Sequence, residues 1–281
     1  IVLDGLVYRA MIRRNGYDCK VSTGTCAAYM GVFLNVTTLG AGTKAGQIYY
    51  LYQKGVEPGN GFGMLVMEYV FHKATIMLYA CVMLLVNYRY ITVRYADSVR
   101  YLYTGFLLSG IIVLCLVAIC LSDRIHRLVM APLHKWVKKE KWIEKLDELE
   151  QQLRDVRQVG KRIYKDKAGI FWQFALNSIK MTCWYILPML AYMAIESEPF
   201  PMSPMACIAT TAIMQLMIGV IPSTGGMGST ELVFMLLFGK IFGKVTAGAA
   251  MILYRISNFY VPFLVSIPVV MAAQRGQKQK K

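Results

Sequence analysis

Four stretches of this chain are each long and apolar enough to cross a lipid bilayer as a helix. They comprise residues 64–86, 99–121, 168–195 and 246–271, and about twenty apolar residues suffice to cross the hydrocarbon layer. The composition agrees, because 56% of the 281 residues are hydrophobic and only 17% are charged. We therefore expect an all-α, polytopic integral membrane helix bundle that occupies residues 1–281 as one domain.

Two further apolar stretches, residues 21–40 and 205–221, are rich in small and hydroxyl side chains and run directly into glycine clusters. Irregular backbone at membrane depth is tolerated only where protein or a wet cavity surrounds it. Interrupted segments in corresponding halves are typical of transport folds with a site between two repeats. The sequence thus predicts two re-entrant or broken helices in pseudo-symmetric halves, although residues 205–242 could also span the bilayer fully.

The basic residues are distributed as an orientation signal. Lys and Arg number 31 against 16 acidic residues. Thirteen of the basic residues lie in 122–167, and four more follow residue 273. Because Lys and Arg accumulate in cytoplasmic loops, we predict that the C-terminus and a basic amphipathic helical segment at 122–167 are cytoplasmic. A nucleic-acid partner is not expected, since the basic charge is explained by topology.

The two glycine clusters are candidate binding sites for a lipid headgroup. A helix that restarts after a break presents free backbone N–H groups and its positive end, which suit a phosphate or carboxylate. A plain turn between packed helices is the competing interpretation. The candidates at the second cluster are Pro222, Ser223, Gly225, Gly226, Gly228 and Glu231. Those at the first cluster are Asn35, Thr38, Gly40, Gly42, Gly46, Gln47 and Tyr50.

Polar side chains inside the apolar stretches complete the predicted headgroup site, because intramembrane charges are costly and usually functional. Glu68 and His72 stand four residues apart and share one helix face, with Lys73 next in the chain. They could equally form an internal hydrogen-bonded pair. Arg255, with Asn258 nearby, needs either a counter-ion such as Glu231 or a phosphate, which a guanidinium can bind in a bidentate way.

We expect neither a metal nor a cofactor, and no catalytic residue. The seven cysteines form no C-x-x-C pair, and the three histidines are scattered along the chain. Motifs for nucleotide binding and for serine or zinc hydrolases are absent. The longest polar segment, 122–167, is too short for a soluble catalytic domain.

These residues resemble the lysylphosphatidylglycerol synthase transmembrane (flippase-like) family, the membrane half of the multiple peptide resistance factor. The resemblance rests on Pro222-Ser223-x-Gly225-Gly226-x-Gly228-x-x-Glu231, on Asn35 followed by Gly46-Gln47-x-Tyr49-Tyr50-Leu51, and on Tyr254-Arg255-Ile256. It implies a bundle in the bacterial inner membrane that moves phosphatidylglycerol or aminoacyl-phosphatidylglycerol between leaflets, without the soluble transferase domain of full-length relatives.

The partners expected from this resemblance are the membrane and an anionic or aminoacylated phosphatidylglycerol, with a homodimer as a candidate assembly. The sequence is also compatible with two other functions. The family label suggests a phosphatidylglycerol lysyltransferase or its membrane subunit. The broken helices would also suit a secondary transporter of a small anion or amphiphile.

Overall fold

The structure, a computed structural model, describes residues 1–95, 99–121, 140–221 and 226–278, and every regular element in these ranges is helical. The α-helices are α1 Val2–Arg14, α2 Val21–Thr37, α3 Thr43–Tyr52, α4 Pro58–Val86, α5 Tyr88–Arg94, α6 Val99–Leu121, α7 Glu140–Lys165, α8 Lys167–Tyr185, α9 Leu187–Met193, α10 Pro204–Val220, α11 Ser229–Phe242, α12 Lys244–Arg255 and α13 Val261–Lys278. A π-helical turn, Ile256–Tyr260, joins α12 to α13. The all-α prediction is confirmed.

Three helical segments of the described residues are long and apolar enough to cross a membrane. They are α4, the Tyr103–Cys120 part of α6, and the continuous Lys244–Arg275 segment. These correspond to three of the four stretches predicted as spans. The fourth, residues 168–195, is not one continuous helix, because it divides at Ile186 into α8 and α9. Pro188 in the first turn of α9 lacks a backbone N–H and so interrupts the hydrogen-bond ladder.

In each of the two weaker apolar stretches, the helix ends where the glycine cluster begins. α2 ends at Thr37 before α3 begins at Thr43, and α10 ends at Val220 before α11 begins at Ser229. Gly40, Gly226 and Gly228 have φ angles of +89°, +73° and +81°, which glycine adopts without strain. Each of the two pairs of short helices, α2–α3 and α10–α11, is followed by a long apolar segment, first α4 and then α12–α13.

One apolar face of α7 packs against the N-terminal part of α4. Val156, Val159 and Ile163 are buried there, next to Gly63 of α4.

An ion pair between Asp166 and Arg14 joins the α7–α8 junction to the end of α1. The Asp166 carboxylate also accepts a hydrogen bond from the Gly169 N–H at 2.8 Å. The Arg14 guanidinium and this N–H together hold the pKa of the Asp166 carboxyl below its usual range.

α1 and α2 cross with their backbones in close contact. A Cβ atom added at Gly24 would overlap the carbonyl oxygen of Gly5, and one added at Gly5 would overlap Thr25. Small residues at a crossing allow two membrane helices to approach closely. This contact positions α1, whose Asp4 reaches the cavity described below.

We expect Gly24→Ala to destabilise the protein by about 1–3 kcal/mol, because overpacking forces the backbones of α1 and α2 apart. Thermal unfolding in detergent measures the effect. Gly248→Ala in α12 is the matched control, because a Cβ there meets no atom within 4 Å. Equal melting temperatures for the two variants would contradict the close crossing.

Candidate functional site

A polar cavity of about 300 Å³ lies between α1, α2, α3, α4, α8 and the π-helical turn. Every one of these elements contributes at least one polar side chain to its wall. Polar side chains gathered inside a bundle of apolar helices are expensive to maintain and mark pathways or binding sites. The cavity is therefore the candidate functional site.

Lys180 of α8 is the most buried charge in the wall of this cavity. Its side chain is nearly inaccessible, with the residue 2% exposed. The Nζ atom lies 3.0 Å from Oδ1 of Asp4 on α1 and 3.3 Å from Nδ1 of His72 on α4. One ammonium thus joins three helices at a single point, and its charge is compensated by the carboxylate.

Glu68 and His72 both line the cavity, as the four-residue spacing predicts. Glu68 is 8% exposed and interacts electrostatically with Lys180 and with Lys44 of α3, while the hydroxyl of Tyr8 lies close to it. The cavity therefore holds two carboxylates and two ammonium groups around one imidazole. Such a wall can bind a phosphate on one side and an amine on the other.

Gln47 of α3 is buried in the wall of the cavity and is only partly satisfied. Its Nε2 donates hydrogen bonds to Ala27 O at 2.9 Å and to the Tyr8 hydroxyl at 3.2 Å. Its Oε1, together with Thr43 Oγ1 and Asn258 Oδ1, has no hydrogen-bond partner among the described residues. Unpaired buried polar atoms cost about 1–3 kcal/mol each, so a ligand with hydroxyl or amino donors would stabilise this wall.

Arg255 and Glu231 form an ion pair beside the cavity rather than in its wall. Arg255 Nε lies 2.8 Å from Glu231 Oε1, and its guanidinium lies over the Phe259 ring with 4.5 Å to the centroid. Glu231 is thus the counter-ion that the sequence allowed. Asn258 and Phe259, both in the π-helical turn that follows Arg255, line the cavity. π-Helical turns occur frequently at functional sites.

Lys73 is separated from Glu68 and His72. Successive helical residues point about 100° apart, and Lys73 lines a different small cavity, with Tyr69 and Ser109, on the α6 and α10 side of α4. Tyr50 is also directed elsewhere, because it is buried in the core beneath the Lys54 ammonium.

The remaining glycine-cluster residues close the breaks or lie outside the described ranges. Of the first cluster, Asn35 and Gln47 reach the cavity. Thr38 Oγ1 accepts a hydrogen bond from the Gly42 N–H at 2.8 Å, and Gly46 makes room for the side chain of Leu34. Gly226 and Gly228 precede α11. Pro222, Ser223 and Gly225 lie outside the described residues, so their predicted role stays a prediction.

Sequence reasoning missed five polar cavity residues, namely Asp4, Tyr8, Thr43, Lys44 and Lys180. Lys180 is a lone cation in an apolar stretch, and the rule that singled out Glu68 would have found it. Asp4 and Tyr8 carry no comparable signal, because α1 is short and only its packing against α2 and α8 brings them to the cavity.

A helical bundle with several membrane-length apolar helices is typical of a multi-pass membrane protein. Residues 1–266 match the family described as the lysylphosphatidylglycerol synthase TM region, and the chain belongs to this family. The match confirms the resemblance drawn from the motifs. Neither a curated protein nor a solved structure matches the chain significantly.

Proposed function

We propose that this protein moves the headgroup of phosphatidylglycerol or aminoacyl-phosphatidylglycerol between the leaflets of a bacterial inner membrane. The charged cavity, which α4 and the Lys244–Arg275 segment line together with shorter helices, is the observation that supports this proposal most strongly. A bare phosphate or ammonium in hydrocarbon costs many kcal/mol, so transfer requires a protein surface that replaces the lost water. The acyl tails can remain in the lipid while the headgroup crosses.

The chemistry of the cavity suits such a headgroup. The Lys44 and Lys180 ammonium groups can pair with the phosphate. The unpartnered acceptors on Gln47 and Asn258 can accept hydrogen bonds from glycerol hydroxyls. Glu68, on the same wall, can pair with the amine of an aminoacylated lipid. The volume, about 300 Å³, lies at the lower end of the range for small-molecule sites, which fits a headgroup without its tails.

The short helix pairs support a re-entrant arrangement within this proposal. α2, α3, α10 and α11 contain 17, 10, 17 and 14 residues. At 1.5 Å per residue they are about 25, 15, 25 and 21 Å long, less than the hydrocarbon thickness of about 30 Å. We propose that each pair dips into the membrane and returns, giving pseudo-symmetric halves with α7 and the C-terminus in the cytoplasm.

The test is reconstitution of the purified chain in liposomes that contain tail-labelled phosphatidylglycerol, with a membrane-impermeant quencher reporting the outer leaflet. We expect transfer well above that of protein-free liposomes, and little transfer of tail-labelled phosphatidylcholine. Uptake of glycerol phosphate without lipid movement would instead support a secondary transporter. Formation of lysyl-lipid from lysyl-tRNA without lipid movement would support an enzyme. Either of these two results, in the absence of lipid transfer, would overturn the lipid-transfer proposal.

A further inference from the structure

The contact between Lys180 and His72 fixes the protonation of the imidazole. An ammonium group has only donors, so His72 Nδ1, 3.3 Å from Lys180 Nζ, must accept. The histidine in this arrangement is therefore neutral, with its proton on Nε2. The ammonium also stays paired with Asp4 at 3.0 Å, so the cluster carries no net charge.

Protonation of His72 would convert this contact from attraction into repulsion. The new proton would occupy Nδ1, and two cations would lie 3.3 Å apart at a buried position, where their repulsion is only weakly screened. Proton uptake therefore requires the Lys180 ammonium to move away. The structure contains the hydrogen-bonded arrangement; a protonated His72 would require a second one, with Lys180 displaced.

Groups of opposite effect surround His72. Asp4 of α1 and the Asn177 side chain of α8 can stabilise an imidazolium, whereas Lys180 of α8 and Lys73 of α4 repel it. Glu68, one turn away on the same face, can pair with an imidazolium, and Lys44 of α3 faces Glu68. α10, which also packs on α4, contains no charged residue.

We propose that His72 and Lys180 couple lipid transfer to the movement of one proton, an inference that rests on the proposed lipid transfer. A proton from water at the cavity mouth binds His72 Nδ1, the Lys180–His72 hydrogen bond breaks, and the Lys180 ammonium binds the lipid phosphate. When the headgroup leaves into the other leaflet, Lys180 returns to Nδ1 and the proton passes to the water on that side. One proton accompanies one anionic headgroup, so the step is electroneutral.

A pH gradient tests the coupling, because at zero membrane potential a pathway that moves the ionised lipid without a proton leaves its equilibrium leaflet ratio unchanged. The full chain is placed in liposomes with tail-labelled phosphatidylglycerol, and valinomycin with equal potassium on both sides holds the membrane potential at zero. With a gradient of about one pH unit, we expect the leaflet ratio to shift about tenfold toward the alkaline side, accompanied by a change of internal pH.

Two variants separate coupling from helix packing. His72→Gln retains an acceptor for Lys180 but cannot titrate, so its leaflet ratio should not respond to the gradient. Tyr79→Phe is the control, because it removes the 2.9 Å hydrogen bond to Thr182 between the same helices α4 and α8 and should keep the tenfold shift. Lipid transfer by the wild type with no shift, or a shift retained in His72→Gln, overturns the coupling and leaves the lipid-transfer proposal standing. No lipid transfer by the wild type overturns both.

Discussion

Lys180→Met is expected to abolish lipid transfer and to lower the free energy of unfolding by about 3 kcal/mol. The methionine keeps the length of the side chain but leaves Asp4 in the cavity without its cationic partner, and breaking a buried ion pair from one side costs about 3–5 kcal/mol. It also removes one of the two ammonium groups available to the phosphate. Unfolding in detergent and the liposome transfer assay measure the two effects separately.

The double variant Lys180→Met, Asp4→Asn distinguishes stability from function. The asparagine removes the uncompensated charge, so most of the lost stability should return. Transfer should not return, because the cavity still lacks the cation. Transfer at the wild-type rate by a stable double variant would show that the headgroup does not need Lys180.

Arg255→Gln is expected to slow lipid transfer at least about tenfold at normal protein levels. The guanidinium lies beside the cavity, over the Phe259 ring of its wall, and we propose that it exchanges Glu231 for the phosphate as the headgroup passes. A hydrogen bond to a charged group contributes about 1.5–3 kcal/mol. Arg255→Lys should recover little, because an ammonium cannot reproduce bidentate binding or the contact with the Phe259 ring. The leaflet distribution of labelled phosphatidylglycerol is the measurement.

The partner variant Glu231→Gln provides the control for this ion pair. Combined with Arg255→Gln, it replaces both charges by amides and avoids an unpaired carboxylate, so stability should stay close to that of the wild type. If Arg255 only anchors α12 to α11, the double variant should transfer lipid normally. A leaflet distribution unchanged by Arg255→Gln would remove Arg255 from the pathway.

The long helices were predictable because bilayer thickness sets the length of an apolar span. α4, α6 and α12–α13 follow directly from that rule. The glycine clusters likewise indicated where α2 and α10 end. The break at Ile186 was not predicted, because apolar composition outweighed the local effect of Pro188.

The candidate site was predictable only where its residues share one helix. Glu68 and His72 reach the same cavity because helical periodicity places them on one face. The same periodicity turns Lys73 to the other side of α4. The Asp4–Lys180 pair depends on the packing of α1 against α8, and no local pattern in the sequence records that contact.

A structure determined in lipid nanodiscs containing phosphatidylglycerol would show whether the headgroup enters the cavity. We expect density for a lipid phosphate within about 3 Å of the ammonium groups of Lys44 or Lys180, with the glycerol end beside Gln47 and Asn258. Lipid phosphates found only at the two membrane surfaces, with water alone in the cavity, would contradict this expectation.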